Sequence, residues 1–309
     1  MVRHPGRRPP RSSSESWYWE GTDFALGRIV VGSDDPRWNQ ENCTGSQPAL
    51  AFHTTTWTVE SDGDPSFQAG PNQILFVPAN AEYRRRRPPG LAECSDALWV
   101  SPRVRVDVVG DYLPDVEERL DRPVPFSWGP RPARLALFQR SLMAYLMSER
   151  APDPLLVEEA ALRIYREAHH VAFGTRRVEP LPRRGTTRAA HRDAVRAAEE
   201  IIAASYRERL RLGDLARRVG LSPAHFCRVF RRETGHSVHG YVTGLRLSEA
   251  IERLPESRGD TTQLALELGF SSRSHFSDAL RSQFGVAPTS AAELVTRPSA
   301  ADLRRTLDI

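Results

Sequence analysis

The sequence predicts an α+β protein: a strand-rich first part, a helical hairpin, and an all-α final third. Three observations predict it. Residues 17–110 hold short apolar runs separated by turn clusters, the pattern of a small antiparallel β domain. The apolar period then lengthens to that of a helix in two segments flanking Pro152-Asp153-Pro154. From residue 190 onward every segment reads helical and carries an internal duplication.

The first elements follow from turns and alternation. Residues 1–16 are rich in Pro, Arg and Ser, a composition that predicts a disordered arm. The Thr-rich stretch Ala49–Val59 precedes the strong turn Ser61-Asp62-Gly63-Asp64-Pro65, and Gln73–Val77 (QILFV) reads as a buried strand closed by Pro78. Val104, Val106 and Val108 alternate with Arg103, Arg105 and Asp107, which predicts a half-exposed strand. These strands place a β domain at 17–110.

Over 111–175 a helical hairpin is expected. Leu135, Phe138, Leu142, Tyr145 and Leu146 recur at helical spacing, and Leu155, Leu162, Tyr165 and Ala168 are among the apolar positions of a second helix. Such a hairpin either caps the β domain or forms a dimer seam. Residues 176–189, with VEPLPRRGTTR at their core, read as a linker, 190–295 as the helical domain, and 296–309 as a tail.

Charge separates the two ends. All 43 basic residues are arginine, which excludes Schiff-base chemistry and lysine-dependent phosphate loops. Residues 181–297 hold 19 Arg against 13 acids, whereas 1–180 hold 22 against 24. A basic domain joined to a near-neutral one suits a nucleic-acid binder with a separate control domain. The three cysteines exclude a disulfide scaffold or Cys-rich zinc module and favour the reducing cytoplasm. No apolar run approaches the ~20 residues of a membrane helix, and the basic N-terminus lacks the apolar core of a secretory signal.

The duplication carries the function. LGDLARRVGLSPAHFCRVFRRETG (212–235) aligns with TQLALELGFSSRSHFSDALRSQFG (262–285), with one extra residue in the second turn. Each copy reads as a helix ending at glycine, an apolar plug, a serine cap and a second helix: a helix-turn-helix. In the first copy Phe226, Val229 and Phe230 face inward; in the second, Phe276 and Leu280 do.

Residues 190–295 resemble the DNA-binding domain of AraC/XylS-type transcriptional regulators. The resemblance rests on GFSSRSHFS (269–277), FGVAP (284–288), and Ser237–Leu254 with Tyr241, Leu245-Arg246-Leu247 and Ala250 as the long central helix. At eighteen residues that helix would be about 27 Å long. Asp278 and Leu280 depart from the family pattern, as does the run Thr289-Ser290-Ala291-Ala292 after Pro288. Gly70–Arg85 is similar to the strand–turn segment of the family's cupin-like effector domains. The implied fold is therefore a small cupin-like β domain plus hairpin, followed by two helix-turn-helix units joined by a long helix.

The expected DNA-binding residues are Ser222, Ala224, His225, Cys227, Arg228, Arg231 and Arg232 in the first unit. In the second they are Ser271, Arg273, Ser274, Ser277, Asp278 and Arg281. Arginine suits guanine and phosphate, and small side chains suit thymine methyls. The implied partners are double-stranded DNA, RNA polymerase, a small-molecule effector of unnamed chemistry and a second copy of the chain. No membrane, cofactor, metal or catalytic residue is expected, and activation and repression both stay open.

Rival readings are a cupin-type metal enzyme fused to a DNA-binding tail, a methyl-accepting repair protein, and a ligand-independent activator. The metal enzyme needs a ligand cluster where the sequence offers isolated His53. The repair protein needs a multi-cysteine zinc site. Arg84–Arg87 reads as a solvated, pairing-resistant edge in preference to an anion site. Cys43 and Cys94 are expected to pack as small buried side chains in preference to forming a thiol switch. His169-His170 is expected to complement a helix C-terminus.

Overall fold

The structure, a computed structural model, describes residues 15–61, 64–86, 92–176, 185–257 and 261–307. Most of the expected arm lies outside these residues, as do Asp62-Gly63, Arg87 and residues 177–184 of the expected linker. The chain divides into two compact units, one made of 1–131, 138–173 and 297–309, the other of 132–137 and 174–296.

Among the described residues the first unit is built on ten strands: β1 (Glu15–Glu20), β2 (Phe24–Val31), β3 (Glu41–Cys43), β4 (Ala49–His53), β5 (Trp57–Ser61), β6 (Asp64–Ala69), β7 (Gln73–Val77), β8 (Glu82–Arg86), β9 (Glu93–Val100) and β10 (Trp128–Pro130). They form a six-stranded sheet ordered β1-β2-β9-β4-β7-β10 and a four-stranded sheet ordered β3-β8-β5-β6. Ladders between these strands are antiparallel; β2 and β9 pair from Phe24–Val100 to Val31–Glu93.

Val31, Ala51, Trp57, Val59, Ala69 and Leu75 form one buried cluster drawing on both sheets. Ile74 and Phe76 point to the opposite face of β7 and are equally buried. Burial on both faces explains why QILFV is a continuous apolar run instead of an alternating one.

The half-exposed strand expected over 103–108 is instead a helix, α1 (Pro102–Val109). The Ser101 hydroxyl accepts from the Val104 N–H and Pro102 opens the first turn, two N-terminal signals that outweigh valine alternation. The buried residues 104, 105, 108 and 109 recur at helical spacing.

The hairpin is present as α2 (Ala133–Ser148) and α3 (Pro154–Arg176), with Asp153 accepting from the backbone N–H of Leu155 and Leu156. The segment read as hairpin alone also supplies β10, which pairs with β7. Three residues are too few for a periodicity to register.

The second unit comprises α4 (Gly185–Ser205), α5 (Leu212–Arg218), α6 (Pro223–Thr234), α7 (Val238–Arg253), α8 (Thr261–Glu267), α9 (Arg273–Phe284) and α10 (Pro288–Thr296). Ser237 caps α7 and Leu254 ends it, so the central helix has sixteen residues and is about 24 Å long, two residues shorter than expected because both ends of Ser237–Leu254 are caps.

Two apolar clusters fill this unit. Val195, Ile202, Leu215, Phe226, Phe230, Tyr241 and Leu245 form one. Leu247, Ile251, Leu264, Phe270, Phe276, Leu280 and Leu294 belong to the other. α7 gives its N-terminal half to the first and its C-terminal half to the second.

The segment read as a tail holds α11 (Ala300–Leu307), part of the first unit. Ser299 and Asp302 cap it reciprocally, Leu303 is fully buried, and Arg304 pairs with Asp153 at 2.8 Å.

Candidate nucleic-acid interface

Each repeat folds as its capping residues dictate. In the first, the Ser222 hydroxyl accepts from the His225 N–H, Pro223 starts α6, and left-handed Gly235 closes it. Phe226, Val229 and Phe230 are buried, which turns Ala224, Arg228, Arg231 and Arg232 to solvent and leaves His225 and Cys227 half-buried.

In the second repeat Ser272 caps α9 by accepting from the His275 N–H, and Gly285 closes it. The extra turn residue shifts the cap from the aligned Ser271, whose hydroxyl instead meets His275 Nδ1 at 3.0 Å. Ser272 was therefore missed, although serine two positions ahead of Ser274 was the available signal. Ser271, Arg273, Ser274, Asp278 and Arg281 are exposed, and Ser277 is half-buried.

Both faces are polar and arginine-bearing, and each helix presents its free N-terminal N–H groups, a geometry suited to phosphate. Ser222 is committed to its cap. His225 Nε2 lies 3.1 Å from His191 Nε2 on α4, and Arg232 Nη2 lies 3.2 Å from His191 Nδ1. Burial, reinforced by Arg232 and His225, pushes the His191 pKa down. His191 thus braces the start of α6, a role no spacing in the sequence announces.

Asp278 and Arg281 stand 3.7 Å apart on one exposed stripe of α9. Asp278→Asn should strengthen binding to every DNA variant, several-fold at low salt and less at high salt, by freeing Arg281 and removing an anion near phosphates. Titration of a panel of second-half-site variants checks this. Weakening confined to one variant would instead make Asp278 a cytosine reader.

Arg246 joins the segment after α4 to the second repeat. From α7 it donates to the carbonyls of Tyr206 (2.7 Å), Glu208 (2.9 Å) and Gly269 (2.7 Å), with its guanidinium over the Phe270 ring. Gly269 has φ +84°, and a Cβ there would stand 2.2 Å from the Arg207 carbonyl oxygen. Only glycine fits that turn.

Glu199 and Tyr241 are both buried between α4 and α7 and share a hydrogen bond. Burial pushes the Glu199 carboxyl up to about 8. Burial and the neighbouring Glu199 raise the Tyr241 pKa.

The polar residues singled out in the first unit take other places than expected. Arg84–Arg86 lie in β8, which is interior to its sheet because β3 and β5 pair with it. Arg85 is buried, pairing with Glu93 at 2.7 Å and with the Tyr83 hydroxyl; Arg84 pairs with Glu41 and Arg86 with Glu60. A solvated edge is thereby replaced by charge-compensated strand pairing.

Cys43 is exposed and Cys94 half-buried, and both are free thiols. The expected burial fails for Cys43 because β3 is an edge strand. His169 is buried against Phe76, Tyr165 and Phe173, its Nδ1 on the Tyr165 carbonyl. Burial pushes its pKa down to about 4, so it brings no positive charge to the helix end. His53 is paired with Glu93 at 3.0 Å. Among the described residues no group of three His, Cys, Asp or Glu side chains is placed to share a metal ion, and no helix is long and apolar enough to cross a membrane.

A helix-turn-helix domain family matches residues 215–293. The HTH-type transcriptional activator RhaS of Pectobacterium carotovorum is 29% identical over 166 residues, 53% of this chain and 56% of that protein. The multiple antibiotic resistance protein MarA of Escherichia coli is 33% identical over 79 residues, 26% of this chain and 62% of MarA. The chain thus spans less than two thirds of either relative. A solved AraC-type regulator from Chromobacterium violaceum is 29% identical, covering 36% of this chain and 99% of its own, with a TM-score of 0.33. Residues 215–293 thus match a helix-turn-helix domain, the fold that the two repeats adopt.

Proposed function

We propose that the chain is a sequence-specific, DNA-binding transcriptional regulator that reads two adjacent major-groove segments under control of its β unit. The observation that carries this is the pair of serine-capped, glycine-terminated helices α6 and α9, each with an exposed arginine stripe, joined through α7. Arg228, Arg231 and Arg232 serve the first segment; Arg273, Ser274 and Arg281 serve the second. The protein is not an enzyme on this reading. It acts in the cytoplasm on double-stranded DNA, with RNA polymerase and a second copy of the chain as partners and a small molecule as the controlling signal.

Footprinting of the purified chain should reveal two protected major-groove segments about one helical turn, ~34 Å, apart. Affinity should fall steeply with salt as phosphate contacts release counterions. Arg228→Ala should cost roughly 1–3 kcal/mol of binding and relax preference at one base pair. A single protected segment overturns tandem reading, and a loss uniform across sequences makes Arg228 a phosphate contact.

A further inference from the structure

The first unit holds a partly open cavity of about 660 Å³, walled by residues from both sheets. Its apolar wall includes Ala51, Val59, Phe67, Leu75 and Trp99, and its volume is that of a small-molecule site. Among its polar lining residues is His53, which is 3% exposed. Its Nε2 has no hydrogen-bond partner.

The surroundings decide what Nε2 offers. Glu93, 1% exposed, receives Arg85 Nη1 at 2.7 Å, Ser95 Oγ at 3.0 Å and His53 Nδ1 at 3.0 Å. Burial works to raise the Glu93 pKa, but hydrogen bonds from His53 and the charge of Arg85 hold it below the usual carboxylate range. An ionised carboxylate only accepts, so the His53 proton sits on Nδ1 and Nε2 keeps its lone pair. The Trp57 Nε1–H donates toward the same Nδ1 at 3.4 Å, a longer contact than the 3.0 Å to Glu93.

Charge balance points the same way. Arg85 is paired with Glu93, so its charge is already cancelled. The other arginines at the cavity are also engaged: Arg37 with Asp35 at 2.6 Å, and Arg122 in interactions of its own. The described walls thus combine apolar side chains with polar ones such as Thr44, Gln47 and Asn80, hold one buried acceptor without a hydrogen-bond partner, and have Arg37 and Arg85 paired with carboxylates.

We propose that this cavity binds an uncharged, largely apolar molecule bearing a hydroxyl group, of the size and flatness of an aromatic alcohol, whose O–H donates to His53 Nε2. The inference deepens the reading of the β unit as the sensor and rests on it. The walls supply affinity by burial, and the lone pair supplies selection, because a ligand without a donor leaves Nε2 unsatisfied.

Calorimetric titration of the full chain at pH 7.5 with 4-phenylphenol, 4-methoxybiphenyl and biphenyl-4-carboxylate tests the idea. The phenol should bind on the order of tenfold tighter than its methyl ether, the worth of one buried hydrogen bond. It should exceed the carboxylate by at least as much. His53→Ala, with unchanged circular dichroism, should bring phenol and ether to equal affinity. The wild-type comparison stands alone where that variant does not fold. Equal binding of phenol and ether to the wild type, or tightest binding of the carboxylate, overturns the ligand class and leaves the sensor reading intact. Selective phenol binding that leaves DNA affinity unchanged supports the pocket chemistry and overturns the sensor reading. Binding of none of the three overturns both.

Discussion

Raising the pH from 5 to 9 should destabilise the helical second unit by a few kcal/mol, and Glu199→Gln should abolish most of that loss. The Glu199 carboxyl is pushed from its ordinary 4.5 to about 8 by burial. A raised folded-state pKa means the folded unit holds its proton more tightly than the unfolded chain does. The stability is therefore whole below about pH 4.5 and is lost progressively as pH rises through 8. At 1.36 kcal/mol per unit the shift bounds the effect at about 5 kcal/mol. Glutamine keeps an acceptor for the Tyr241 hydroxyl and carries no charge. Urea unfolding followed by far-ultraviolet circular dichroism measures it. All six tryptophans lie between residues 17 and 128, so their fluorescence follows the first unit separately. A helical transition with the same pH dependence in wild type and Glu199→Gln would remove Glu199 as the cause.

Phe226→Ala and Phe276→Ala should each cost about 3–5 kcal/mol, the usual loss for emptying a fully buried aromatic site. Both rings are 0% exposed, and they lie in different clusters. Loss of Phe226 should therefore erase the first protected DNA segment while leaving the second partly protected, and loss of Phe276 the reverse. Footprints of the two variants at low salt read this directly. If either variant erases both segments together, the two repeats fold as one cooperative body.

The repeats were legible because capping chemistry is local: Ser222, Gly220 and Gly235 declare themselves within a few residues. The central helix was legible for the same reason, from Ser237 to Leu254. In the first unit, Gln73–Val77 coincides with β7, since a compact apolar run between breakers has few other fates. Misreadings came where one signal hid another. The valines of 103–108 alternate, yet the Ser101-Pro102 pair starts a helix. β10 and the helix after residue 299 depend on long-range pairing and packing that no window of sequence contains. The partners of Arg85 and His53 meet only when β8, β4 and β9 are folded, so the Glu93 cluster was invisible beforehand. His191 beside His225 and Glu199 against Tyr241 are likewise products of tertiary packing.

The Arg246 clasp bears on what a regulatory site can look like. By pinning the carbonyls that follow α4 to the turn before α9, it fastens the second repeat to the segment that leads into the first. A base pair inserted between the two half-sites rotates one by about 34° and moves it by about 3.4 Å along the duplex. A protein hinged between its repeats absorbs that change; one riveted by a guanidinium does not. On the proposed reading, the phase between the half-sites becomes part of the recognised word, and promoters differing only in spacer length should be bound with different affinity.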